Sequence, residues 1–360
     1  CSQTVNDGMK VVTEDDELAL RRKHVLELFL SDHCSTCIGC DKSGACKLQD
    51  YAYRYHADQN RFGVYAPKPN GTILWPSPPT PPSPGDPAEG VRGAFGGRGR
   101  SINFTTLNQG ILYDAEKCIR CGLCVKYCET VQMAEALTFA WRANRLVVTT
   151  PFDEDLNKTS CELCGGCIRV CPVGALLDKA AIGQGREADL TRVRTTCPYC
   201  GVGCQMDLLV NQRKNRIVRV TSDPYSPINS GNLCVKGHFG FEFVGSPERL
   251  THPLIRENGA FRKATWAEAI ELVGRRFREI REKHGPDSLA FISSARCTNE
   301  ENYLVQKVAR AAVGTNNVDN CATSCHAPTV AGLAESFGSG AMTNSTAEIK
   351  DCKVLFLIGA

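Results

Sequence analysis

No stretch of this chain is apolar for anything near the ~20 residues that a membrane-spanning helix needs. Its longest apolar segments have the length of short strands, such as 354–358. A surplus of one charge is also lacking: 42 Lys and Arg face 39 Asp and Glu, a formal +3. Bulk electrostatics therefore nominate no nucleic-acid partner. Arg92, Arg98 and Arg100 lie in a Gly-rich run that reads as a solvated loop. No starting methionine and no signal peptide are visible. The chain opens on Cys1 and stops at Ala360 within an apolar strand pattern, so both ends read as cut and an internal piece of a longer polypeptide is expected. Missing, finally, is any scatter among the 21 cysteines, which fall into short-spaced groups. Disulfide scaffolds are mostly small secreted domains, whereas grouped cysteines in 360 residues favour metal. Thiolates that hold metal must stay reduced, which points to the cytoplasm.

What is present is organised around Cys118 to Cys171. Cys118, Cys121, Cys124 and Cys128 repeat the spacing of Cys161, Cys164, Cys167 and Cys171, each C-x2-C-x2-C-x3-C, and Pro172 follows the second run. In this ferredoxin pattern three cysteines wrap one cubane cluster and the fourth reaches the other. The assignment is Cys118, Cys121, Cys124 and Cys171 to one [4Fe–4S] centre, and Cys161, Cys164, Cys167 and Cys128 to the second. Structural zinc prefers paired C-x2-C knuckles.

Two further donor sets flank this pair. His33, Cys37, Cys40 and Cys46 offer an imidazole and three thiolates, which suit zinc on ligand type alone. Adjacency to the ferredoxin pattern shifts the reading towards iron–sulfur. Cys197, Cys200, Cys204 and Cys234 follow C-x2-C-x3-C-x29-C, suited to [4Fe–4S] or zinc. Lys236 stands two residues past the last of these. It reads either as a solvated lysine or as a charge between that cluster and an anionic or redox cofactor. Outside the sets remain Cys1, Cys34, Cys297, Cys321, Cys325 and Cys352. A free cysteine is most often a small buried hydrophobe. Cys325 differs because His326 follows it, just before a helix start at Pro328. An imidazole and a helix N-terminus favour a thiolate, which is a good soft-metal ligand.

Periodicity predicts a helix over 17–30, a hairpin from MDLLV and RIVRV, and a helix from Thr265 to about Lys283 opened by a capping box with Glu268. A buried strand over 288–293, a helix capped by Thr298 and ended by Gly314, a helix from Pro328 and a strand over 353–358 follow. That order suggests a Rossmann-like parallel sheet, with ligands at the carboxyl ends of its strands. The Pro-rich and Gly-rich residues 67–100 read as linker.

The stretch 197–241 (CPYCGVGC … LCVKGHFGF), with RLTHPLIR at 249–256, resembles the cluster-binding start of molybdopterin-dependent formate dehydrogenases. GTNNVDNCATSC at 314–325, continuing through His326 to GSGAMTN at 338–344, is similar to that family's active-site region, where a cysteine or selenocysteine followed by histidine ligates the metal. The family usually places glycine after that histidine; here it is Ala327. The front half resembles the large iron–sulfur subunit of respiratory complex I. Cys1 and the residues after it look like the end of a [2Fe–2S] domain. The run from Asp32 to Asp50 looks like that subunit's site with one histidine and three cysteines, with Cys34 where proline is common. The NAD-linked formate dehydrogenase alpha subunit shares this front end.

The resemblance implies an α/β and α+β multidomain chain. Its expected parts are a [2Fe–2S] remnant (1–10), a [4Fe–4S] domain with His33 (11–66), a linker (67–110), a two-cluster ferredoxin-like domain (111–190), a molybdopterin oxidoreductase [4Fe–4S] domain (191–252), and the start of the molybdopterin-binding α/β domain (253–360). It implies molybdenum or tungsten held by two pyranopterin guanine dinucleotides and Cys325, four [4Fe–4S] clusters, and a [2Fe–2S] cluster only in the intact protein, with Cys1 its last ligand. The implied reaction is formate to CO2, with His326 and Lys236 serving the metal centre. A flavin-bearing, NAD-reducing diaphorase subunit and a small iron–sulfur subunit are the implied partners. A substrate-binding arginine is expected beyond Ala360, so this piece alone is expected to be inactive. Three other readings stay open: an electron-relay subunit of complex I type without molybdenum, another molybdopterin enzyme such as a nitrate reductase, and a zinc-rich binding module.

Overall fold

The computed structural model describes residues 4–33, 37–58, 61, 108, 110–142, 146–341 and 344–358. Cys1, Cys34 and all of the expected linker but residues 108 and 110 lie outside them. The chain divides into two compact units, Cys1–Arg249 and Leu250–Ala360.

In the first unit, helix α1 (Asp16–Asp32) starts where Asp15 accepts a hydrogen bond from the Leu18 amide at 2.7 Å. Helix α2 (Lys47–Arg54) follows. Buried in α1, Glu27 pairs with Arg61 at 2.9 Å, which gives an otherwise costly carboxylate its partner. Next come β1 (Ile111–Tyr113), α3 (Leu123–Thr130), β2 (Thr138–Ala140), β3 (Val147–Thr149), α4 (Gly166–Val170) and β4 (Leu176–Asp178). β1 and β4 pair antiparallel, with Ile111 opposite Asp178, and tie the ends of this region together. β2 and β3 form a hairpin. Ile111, Val148, Leu156, Val173 and the inward cysteines make one core.

The two cysteine runs share one backbone device. Arg120 and Leu163, each two residues after the first cysteine, have φ of 56° and 52°. Gly122 and Gly165, each following the second cysteine, have φ of 77° and 73° and cap α3 and α4. A left-handed residue with a side chain costs roughly 1–2 kcal/mol. The turns retain it because it aims amides at sulfur: Arg120 N–H meets Cys118 Sγ, and Leu163 N–H meets Cys161 Sγ, both at 3.4 Å.

β5 (Thr191–Thr196), β6 (Gln205–Asn211) and β7 (Arg216–Thr221) form an antiparallel sheet in that order, then α5 (Val235–Phe239). β6 and β7 are the predicted hairpin, buried on one face by Met206, Val220 and Leu233 around Cys197.

The second unit begins with a hairpin, β8 (Leu254–Glu257) and β9 (Ala260–Lys263). Helix α6 (Trp266–His284) is capped by Thr265, which accepts from the Glu268 amide at 3.2 Å. The Glu268 carboxylate turns to Arg262, so half of the predicted capping box forms. β10 (Phe291–Ser293) is shorter than the predicted 288–293, and Ile292 is 78% exposed rather than buried. Pro286–Ser288 is a 3-10 turn because proline fixes φ there, and Asn317 Nδ2 bonds the Asp287 carbonyl at 2.9 Å. Helix α7 (Asn299–Lys307) has the full box between Thr298 and Glu301 and runs through a π-helical stretch to Gly314. β11 (Val318–Asn320) pairs parallel with β10. Then come α8 (Ala322–Cys325) and α9 (Ala327–Phe337), the latter starting one residue before the expected Pro328. The predicted strand over 353–358 does not form: among the described residues no strand flanks it, and Phe356 is 84% exposed. The expected parallel sheet is therefore one pair of strands. No helix among the described residues is long and apolar enough to cross a membrane.

Candidate iron–sulfur and metal sites

Each donor set read from the sequence, Cys1 apart, gathers in space within the first unit. His33, Cys37, Cys40 and Cys46 line one cavity together with Gly174, where a Cβ would stand 2.8 Å from Cys40 Sγ. Burial lowers the pKa of His33, opposed by a hydrogen bond with the Lys117 backbone. Its buried Nδ1 has no hydrogen-bond partner among the described residues. An imidazole nitrogen left bare in a ring of thiols is what a metal-binding histidine looks like before the metal is added.

Cys118, Cys121, Cys124 and Cys171 line a second cavity, so the fourth cysteine of the later run joins the first three of the earlier one. Burial, then the charges of Cys118, Cys171 and Cys121, pushes the Cys124 thiol up to about 12. Cys167 rises for the same reason, with Cys164, Cys124, Cys161 and Cys128 around it. Thiols so buried and so mutually repelling ionise only beside added positive charge, which iron supplies. Backbone amides already face these sulfurs: Ala136 N–H meets Cys128 Sγ at 3.2 Å, and Gly166 N–H meets Cys164 Sγ at 3.4 Å, where it opposes the effect of burial on Cys164. Cys204 is raised by burial and then by Cys197, Cys200 and Cys234, the fourth set. Among the described residues no three His, Cys, Asp or Glu side chains converge as ligands of one ion. The His33 and Cys118 sets instead ring a cavity each.

The Cys161 and Cys197 sets meet. Cys164, Cys204 and Cys234 line one cavity of about 550 Å³. Beside it, Tyr127 donates from its hydroxyl to Asn232 Oδ1 at 2.6 Å. Arg169 lies 5.4 Å from the Tyr127 ring centroid. His238, buried on α5, packs on Gly165, and its pKa falls to about 4 through burial and then the charges of Arg169 and Arg219. A Cβ on Gly166 would fall 1.8 Å from Tyr127 Cε1, so the glycine pair in the second run makes room for both rings. Sequence reasoning missed Tyr127, Arg169, Asn232 and His238. The paired glycines were the available signal, since they mark close approach.

Lys236 is exposed on α5, one residue before Gly237, where a Cβ would be 3.7 Å from Cys197 Sγ. Cys325 and His326 belong to the second unit. Cys321 N–H donates to the Ser293 carbonyl at the carboxyl end of β10, and Cys325 N–H to the Cys321 carbonyl at 3.1 Å. Cys325 therefore stands one helical turn past the carboxyl ends of both parallel strands, exposed, with His326 between α8 and α9. Asn320 Nδ2 bonds Ser293 Oγ at 2.9 Å and fixes that edge. Cys297, Cys321 and Cys352 are also exposed.

Comparison with known proteins matches residues 249–360 to Molybdopterin oxidoreductase and 190–246 to the Molybdopterin oxidoreductase Fe4S4 domain. Residues 22–61 match the NADH-ubiquinone oxidoreductase-G iron-sulfur binding region, and 117–175 a 4Fe-4S dicluster domain. "Probable oxidoreductase YjgC" of Bacillus subtilis is 39% identical over 69% of this chain and 29% of its own length. A "Putative formate dehydrogenase" of Staphylococcus aureus is 31% identical over all of this chain and 37% of its own length. This chain thus spans between 29% and 37% of the length of these curated relatives. Among solved structures, an NAD+-reducing [NiFe]-hydrogenase aligns over 51% of this chain and 64% of that one, at 24% identity and a TM-score of 0.36. The chain joins molybdopterin oxidoreductase domains to an iron–sulfur front end of NADH-ubiquinone oxidoreductase type.

Proposed function

We propose that this chain is the front part of a molybdopterin-dependent, NAD-linked formate dehydrogenase that oxidises formate to CO2. The observation that carries the reading is Cys325–His326, placed one turn past the carboxyl ends of β10 and β11 within residues that match the molybdopterin oxidoreductase family. Ligands of open α/β sheets gather at that edge, and we take the pair of strands as the beginning of a Rossmann-like sheet.

Cys325 is the protein ligand of molybdenum or tungsten, alongside two pyranopterin guanine dinucleotides, and that centre supplies two-electron chemistry when bound. His326 holds substrate or takes up a proton beside it, as an imidazole can near neutral pH. Lys236 presents a positive charge beside the four-thiolate site and serves the anionic cofactor. The sets of His33, Cys118, Cys161 and Cys197 hold four [4Fe–4S] clusters, which supply one-electron storage. Cys1 contributes to a [2Fe–2S] cluster of the intact protein. The partners are a flavin- and NAD-binding diaphorase subunit and a small iron–sulfur subunit, in the reducing cytoplasm that such thiolates need. The part boundaries follow the ranges expected from the sequence.

The test is metal content with turnover. The whole polypeptide, purified without oxygen, carries iron together with molybdenum or tungsten and reduces a viologen dye when given formate. Iron alone, with no dye reduction, would leave an electron-relay subunit in its place.

A further inference from the structure

The internal repeat places a basic residue at the same point in both cysteine runs, two residues after the third cysteine: Lys126 and Arg169. The two have different surroundings. The Lys126 side chain is 68% exposed and pairs with Glu129 at 3.5 Å. Arg169 is turned inward. Its guanidinium lies over Tyr127, and its buried Nε makes no hydrogen bond among the described residues. One of its terminal nitrogens would be 3.1 Å from a Cβ on Gly231, in the loop leading to Cys234. Tyr127, between Cys124 and Cys128, feels the Cys164 and Cys167 thiolates together with Arg169 and hydrogen-bonds Asn232. Arg169 therefore stands where the Cys161 set faces the Cys197 set, and the cavity lined by Cys164, Cys204 and Cys234 opens beside it. A half-buried cation with no carboxylate partner among the described residues is costly unless other negative charge lies near.

We propose that Arg169 tunes the second ferredoxin site: its fixed positive charge stabilises an added electron on the cluster held by Cys161, Cys164, Cys167 and Cys128, and so makes that site the acceptor facing the Cys197 set. The step is the gain of one electron by that cluster, with no bond made or broken and no proton moved. The donor is the reduced cluster of the Cys197 set in the protein and dithionite in the test. The charge acts from a half-buried position, where one unit counts for more than on the exposed surface. This inference rests on the iron–sulfur reading of the four sets, and adds which residue sets the order among them.

The experiment is a redox titration of the whole polypeptide, prepared without oxygen and followed by EPR. Arg169→Met moves the midpoint of one [4Fe–4S] signal to more negative potential, by about tenfold in the reduction equilibrium, or ~59 mV for one electron. Arg169→Lys stays close to wild type. Tyr127→Phe, which removes the bond to Asn232 and keeps the charge, moves the midpoint much less. Lys126→Met moves nothing.

An unchanged midpoint in Arg169→Met overturns the proposal, as does an equal shift in Arg169→Lys or Tyr127→Phe. Loss of a cluster from both Arg169→Met and Arg169→Gln makes the residue a packing element and also overturns it. Wild-type protein with no iron–sulfur signal would instead overturn the reading beneath it.

Discussion

The imidazole of His238 lies so close to the backbone of Gly165 that a Cβ placed there would come within 2.6 Å of three ring atoms. This contact packs the turn after Cys164 against α5, and it depends on one missing methyl group. Gly165→Ala must displace a buried ring, for roughly 1–3 kcal/mol, and hold φ of 73° with a side chain, for roughly 1–2 kcal/mol more. Gly183→Ala has a similar φ of 70° and open space around its Cβ, so it bears the backbone cost alone. Urea unfolding of the two variants should show the larger loss at Gly165. Equal losses would mean that His238 is free to move away.

The crossing of the two cysteine runs predicts which substitutions act alike. Cys171 shares its cavity with Cys118, Cys121 and Cys124, so Cys171→Ser should perturb the same EPR signal as Cys118→Ser. Cys128 stands among the neighbours of Cys161 and Cys164, so Cys128→Ser should perturb the other signal. Pairing of Cys171 with the Cys161 signal instead would contradict the shared cavity.

Cys325→Ser should abolish formate-dependent dye reduction while leaving every iron–sulfur signal available to dithionite, because no cluster donor lies in its unit. A variant that keeps formate turnover removes Cys325 from the metal centre.

Asp178 carries a pH dependence. Burial raises its pKa to about 6, while the Ala180 amide and Arg219 pull the other way. Its Oδ2 is buried without a hydrogen-bond partner among the described residues. Between about pH 4 and 6 the folded chain holds a proton that the unfolded chain has released. Stability therefore falls as pH rises through that window and stays lower above it. Asp178→Asn keeps the cap on Ala180 and removes the charge, so it should raise stability at pH 7.5 by on the order of 1–3 kcal/mol and leave pH 4 unchanged. A variant less stable than wild type at pH 7.5 would show Arg219 to outweigh burial.

The donor sets were legible in the sequence because ligand spacing is local: a cluster fixes how many residues separate its cysteines. The hairpin of β6 and β7 was legible through its period of two. β5 carried no such signal, since Thr191–Thr196 is exposed throughout and has one apolar residue, Val193. The contact among Tyr127, Arg169 and His238 joins residues 42 to 111 positions apart, and no local pattern encodes that. The apolar run at 353–358 misled in the opposite direction, because a strand needs a neighbour for its backbone groups as well as apolar side chains. Cys325 stood out only through its neighbour His326, and its place beyond β10 and β11 is long-range information.

The most direct test of the account records EPR spectra of the whole polypeptide, prepared without oxygen, before and after adding formate alone. Formate by itself should bring up reduced iron–sulfur signals, and Cys325→Ser should lose this response while keeping the one to dithionite. Signals that appear only with dithionite, in protein without molybdenum or tungsten, would contradict it and leave a chain of clusters with no formate chemistry of its own.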